Sequence, residues 1–71
     1  MWNVVKYDNG VEVEDYGVIQ ATNIRQLVKK LEEMFKVTGL KYEKDMHTKS
    51  PTYYIYHPTN NTIDLVASKW N

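Results

Sequence analysis

The sequence predicts an α+β domain, a single helix packed on one face of a mostly antiparallel five-stranded sheet, in the order β-β-α-β-β-β. Three observations lead there. Only residues 23–36 carry a helical apolar period: Ile24, Leu27, Val28, Leu31, Met34 and Phe35 form one stripe, with charged side chains opposite. Five other segments are rich in β-branched and aromatic residues or alternate in polarity at period two. Clusters of Asn, Asp, Gly and Pro separate them. The 71 residues form a single domain, 1–71, close to the lower size limit for a chain that folds alone.

The first strand is Trp2–Tyr7, and Asp8-Asn9-Gly10 is a hairpin turn. A three-residue loop with Gly10 left-handed pairs Tyr7 with Val11, Lys6 with Glu12 and Val5 with Val13. That register is preferred to a two-residue Asn9-Gly10 loop, which would set Tyr7 opposite Glu12. The second strand runs from Val11 to about Ala21, with Val11, Val13, Ile19 and Ala21 toward the helix. Asp15-Tyr16-Gly17 breaks the alternation and predicts a bulge or bend.

Asn23 followed by Gln26 is a capping-box start, because an Asn oxygen there accepts an orphan N–H of the first turn. The helix is expected to end near Lys36 or Val37, with Gly39 as left-handed cap and Glu32 paired to Lys36 one turn on. Residues 40–47 alternate as a half-buried strand, and 48–51 form a loop in which Pro51 cannot donate to a ladder. Thr52–His57 is the most β-prone segment. It forms a hairpin with residues 62–69 through a turn with Asn61 left-handed, pairing Ile55 with Leu65 and Tyr53 with Ala67. The helix returns the chain across the sheet, so the third strand should run parallel to the second. It is expected beside the first strand, in the spatial order 2-1-3-4-5, with a parallel place beside the second as the competing topology.

Composition narrows the function classes. Nine basic and nine acidic residues give zero net charge, which weighs against nucleic-acid binding, where phosphate contacts dominate affinity. The chain has no cysteine, so neither disulfides nor thiolate metal sites arise. The N-terminal residues lack a basic segment followed by an apolar run, and no stretch approaches the ~20 apolar residues of a membrane span. A cytoplasmic protein, not associated with a membrane, is expected.

No signature of catalysis stands out. His47 and His57 have neither HxH nor HExxH spacing, Ser50 and Ser68 lack a nucleophile elbow, and the three glycines are scattered. Glu12 and Glu14, two apart on a strand, point the same way but read as a solvated face beside Lys6. No enzyme activity, metal or cofactor is expected.

One helix covers one side of a sheet. The side left over is expected to hold Trp2, Val4, Tyr16, Val18, Tyr54, Tyr56 and Val66 among Lys6, Glu12, Lys41, Glu43 and Asp64. Tyr and Trp are enriched at binding hot spots, so Trp2, Tyr16, Tyr54 and Tyr56 are the expected anchors, rimmed by Lys6, Glu12 and Asp64. The expected function is non-enzymatic binding of a protein partner or of a second copy, as a homodimer. A single-stranded nucleic acid stacked on the same rings is the alternative. It is disfavoured because Arg25, Lys29, Lys30 and Lys36 lie on the helix, away from those rings. In size and β-β-α-β order the chain is similar to compact phage-encoded proteins that bind and inhibit host enzymes, such as inhibitors of bacterial RNA polymerase. That similarity implies an inhibitor or adaptor of a host protein and transfers no functional residue.

Overall fold

The computed structural model describes residues 1–47 and 49–69. Its elements are β1 (Trp2–Asp8), β2 (Val11–Ile19), α1 (Ile24–Phe35), β3 (Lys41–Lys44), β4 (Thr52–Tyr56) and β5 (Asp64–Lys69). The element order is the one the sequence predicts; Thr48, in the expected loop 48–51, lies outside the described residues.

The five strands form one sheet in the order β2-β1-β5-β4-β3, with every neighbouring pair antiparallel. This corrects the expected order: β5, not β3, lies beside β1. The direction expected for β3, parallel to β2, is the one that this order gives, but the two are opposite edges of the sheet. Composition explains the exchange. β5 brings Leu65 and Ala67, both without solvent exposure, to the middle of the sheet. The β3 sequence Lys-Tyr-Glu-Lys is exposed throughout, as suits a short charged edge strand.

The β1–β2 turn is the two-residue Asn9-Gly10 loop, corrected from the three-residue one. Asn9 and Gly10 have φ of 52° and 79°, the double left-handed turn whose twist matches that of the strands. Asp8 then faces Val11 and Tyr7 faces Glu12, but Lys6 faces Glu14, so the register shifts around Val13. A second shift falls between Val5, which faces Asp15, and Asn3, which faces Val18. It coincides with the expected irregularity at Asp15–Gly17, where Gly17 takes φ 75° and its N–H donates to Asp15 Oδ1 over 2.8 Å. The shift at Val13 also puts Glu12 and Glu14 on opposite faces, so they are not the same-side pair that regular alternation predicts.

The helix begins as expected. Asn23 Oδ1 accepts from the Gln26 N–H (2.9 Å), and Gln26 Oε1 accepts in turn from the Thr22 N–H (2.6 Å). Its end differs. Lys36, not Gly39, is the left-handed cap, at φ 55°. The Glu32 carboxylate accepts from the N–H groups of Gly39 (2.7 Å) and Leu40 (3.2 Å), holding the chain as it leaves for β3.

Leu27, Val28 and Leu31 of the helix are buried in one cluster with Trp2, Val4, Ala21, Leu40, Ile55, Ile63, Leu65 and Ala67. The face assignment of β1 is thereby reversed. Trp2 and Val4 lie in the core shared with the helix, and Val5 lies on the other side. Val11 and Val13, expected under the helix, are 63% and 54% exposed near the hairpin tip. Full burial of a large apolar side chain contributes roughly 1.5–3 kcal/mol, so this cluster dominates the stability of the fold.

Candidate interaction face

Cross-strand partners point to the same side of a sheet, so the ladders define the face away from the helix. One row across it is Val18, Asn3, Ser68 and Thr52; the next is Asp15, Val5, Val66, Tyr54 and Glu43. Toward the hairpin tip lie Glu12 with Tyr7, and Asp64 with Tyr56 and Lys41. Tyr54, Tyr56, Glu12 and Asp64 therefore stand on the face where the sequence places them. Trp2, Tyr16 and Lys6 do not.

Trp2 is 3% exposed. Its indole Nε1–H donates to the Ala21 carbonyl (3.2 Å), and its ring meets Tyr53 edge-on at 5.7 Å. A buried indole needs such a partner, and the segment between β2 and the helix supplies it. Tyr16 stands edge-on to Phe35 of the helix at 5.3 Å, while its hydroxyl donates to Glu14 Oε2 (2.9 Å). Burial, helped by the Glu14 hydrogen bond and charge, pushes the Tyr16 phenol up to about 12. Lys6 lies between Glu14 and Leu65, on the helix side.

Charge separates sharply between the two sides. Among the residues of the strand ladders, the open face carries Glu12, Asp15, Glu43 and Asp64, with Asp45 at its border, against one cation, Lys41. That is five of the chain's nine acidic residues. Zero net charge thus conceals an acidic face, a separation that appears only once the strands are assembled.

Within this face Tyr7, Tyr54, Val66, Thr52, Ser68, Gly10, Asp45 and Asp64 line a shallow groove of 510 Å³. Tyr54 is 44% exposed. Its hydroxyl donates to Asp45 Oδ2 (2.9 Å), which raises the Tyr54 phenol above its ordinary range. Asp45 is held below the usual carboxylate range by the His47 backbone N–H and then by this hydroxyl. Tyr56 reaches Glu43 Oε1 at 3.5 Å, the long limit of a hydrogen bond. Tyr7 and Asp45 were not among the residues expected at the site. Correct pairing of Tyr7 with Glu12 would have identified the first. Asp45 lies just beyond the end of β3, and no local signal marks it.

A larger depression of 690 Å³ lies at the helix C-terminus, lined by Lys29, Glu32, Glu33, Lys36, Val37, Thr38 and His57. Its most versatile groups are engaged by backbone. Glu32 holds Gly39 and Leu40, while His57 Nδ1 accepts from the N–H groups of Thr59 (3.2 Å) and Asn60 (3.1 Å). That acceptance places the ring proton on Nε2, which donates to the Thr38 carbonyl (3.0 Å). His57 is thus a turn organiser that also ties the β4–β5 loop to the segment after the helix.

No protein family matches this chain, and no curated protein or solved structure is similar enough to match it.

Proposed function

We propose that this protein is a small, non-catalytic binding module, an inhibitor or adaptor, that engages another protein through its open sheet face. The observation that carries the reading is the combination of Tyr7, Tyr54, Tyr56 and Val66 with a strong carboxylate excess on the side away from the helix. Tyrosines give large contact area at small entropic cost. The hydroxyl bond from Tyr54 to Asp45 limits that ring's motion further, which lowers the cost of association. The same field disfavours a nucleic acid on these rings, since phosphates would approach five carboxylates.

Affinity recovery from cell extract with the wild type and with the double variant Tyr54→Ala/Tyr56→Ala, its fold checked by circular dichroism, tests the reading. Specific partners should be lost from the variant. Unchanged recovery by a folded variant sinks the proposal. A labelled single-stranded oligonucleotide that binds at low salt and is released by the same substitutions would favour the nucleic-acid alternative.

A further inference from the structure

We propose that the groove between Tyr7 and Tyr54 receives a cationic segment of the partner protein, with lysine or arginine side chains lying along the tyrosine rings and their charges directed to Asp64 at one end and Asp45 at the other. This rests on the open-face reading and specifies the chemistry of the partner. The groove is lined by both tyrosines, with Val66 between the two strands that carry them and carboxylates among its lining residues. Aromatic faces attract cations through their quadrupoles, and carboxylates beside them add direct charge attraction. An anionic segment would be repelled, and a purely apolar one would desolvate the Asp64 carboxylate without compensation. The 510 Å³ volume falls within the range of ligand pockets, roughly 300–1,000 Å³, and admits one or two long side chains of an extended segment.

A second copy is the weaker occupant. Its basic helix face would have to supply the cations, yet the Lys30 ammonium is already bonded to the Gln20 carbonyl, and Glu32 and Glu33 interrupt that face. Such a helix-to-sheet contact would also be head-to-tail, which propagates rather than closing into a dimer.

The test is an isotope-labelled titration with a short peptide alternating arginine and alanine, set against a glutamate–alanine counterpart. The arginine peptide should bind at low salt, shift the amide signals of residues 5–7, 52–54 and 64–68, and weaken about tenfold on Asp64→Asn or on Tyr54→Ala, the loss of a single charge or ring contact. Equal binding of the two peptides, shifts centred on the helix, or full affinity in both variants would overturn the inference. Self-assembly of the protein alone that Lys29→Glu abolishes would also overturn it, in favour of a second copy. A partner that needs Tyr54 and Tyr56 but is not displaced by the arginine peptide overturns the cationic assignment and leaves the open-face reading standing. A partner indifferent to those tyrosines removes both.

Discussion

The two sides of this sheet are built from alternate residues of the same strands, yet they are held in order by different physics. On the side shared with the helix, Trp2, Val4, Ile55, Leu65 and Ala67 are buried almost completely, and packed apolar volume does the ordering. On the other side Val5 is also nearly buried, at 8%, and Thr52 at 9%, although no helix covers them. Their cross-strand neighbours are Asp15 and Val66 for Val5 and Ser68 for Thr52, and nearby Tyr54 is tied to Asp45. The open side therefore orders itself without becoming a second core. A surface that is stiff but still wet suits recognition better than one that must collapse before it can bind.

Substitutions can break or sharpen this contrast. Leu31→Ala, in the covered cluster, should cost about 2–5 kcal/mol and leave so small a domain largely unfolded, as read by urea denaturation; Val66→Ala on the open side should cost markedly less. Equal losses would erase the distinction between the sides. Trp2→Phe keeps most of the ring but orphans the Ala21 carbonyl, and should lower stability by about 1–3 kcal/mol. A neutral result would return Trp2 to the exposed role that the sequence suggests.

Tyr16 offers a pH test. Its phenol is raised from about 10 to about 12, so its contribution is complete below pH ~10 and is lost as pH rises through ~12. Alkaline titration followed by phenolate absorbance should show a late ionisation coupled to loss of helix signal, and Tyr16→Phe should remove that coupled step, whereas Tyr54, also raised, ionises without it. Glu32→Ala should cost on the order of 1 kcal/mol, because it releases the amides of Gly39 and Leu40. Lys36→Ala, which removes only the expected ion-pair partner, should cost less than Glu32→Ala in the same denaturation series. The smallest effect is expected at the Tyr54 hydroxyl: Tyr54→Phe, on an exposed ring, should leave the urea midpoint nearly unchanged while mobilising the ring, seen as altered aromatic relaxation.

Features encoded by neighbouring residues were legible in the sequence. The helix and its Asn23–Gln26 start, the five strand segments, the irregularity at Asp15–Gly17 and the pairing of Ile55 with Leu65 all follow from local pattern. The register of that last hairpin holds although its turn does not: β4 ends at Tyr56 and β5 begins at Asp64, and Asn61 is not left-handed. What failed depended on distant partners. Val4 and Val5 are adjacent and both apolar, so alternation cannot say which faces the helix; the bond from Trp2 to Ala21 and the arrival of β5 beside β1 decide it. At the first turn, the charge match of Lys6 with Glu12 outweighed the Asn-Gly signal, whereas the shift at Val13 lets the turn keep its geometry and gives Lys6 a different glutamate. Of the residues expected on the open face, the placement of Tyr54 and Tyr56 was legible by alternation from Ile55. Tyr16 and Trp2 were not, because an irregular strand and an ambiguous one carried them.

The strand order also constrains how the chain reaches this structure. β5 is the central strand and its partner β1 is the first in the sequence, with Trp2 opposite Lys69. The β1–β2 hairpin and the β3–β4–β5 meander can each form locally on microsecond timescales. They can join only when residues near opposite ends of the sequence meet, and that closure spans the helix and every loop. Sheets dominated by such distant pairings fold in milliseconds to seconds, far more slowly than local hairpins. Until β5 arrives, one side of β1 is an unpaired edge bearing Val4 and Val5. During synthesis that edge is exposed until β5 emerges, which makes the β1–β5 seam the vulnerable step of folding.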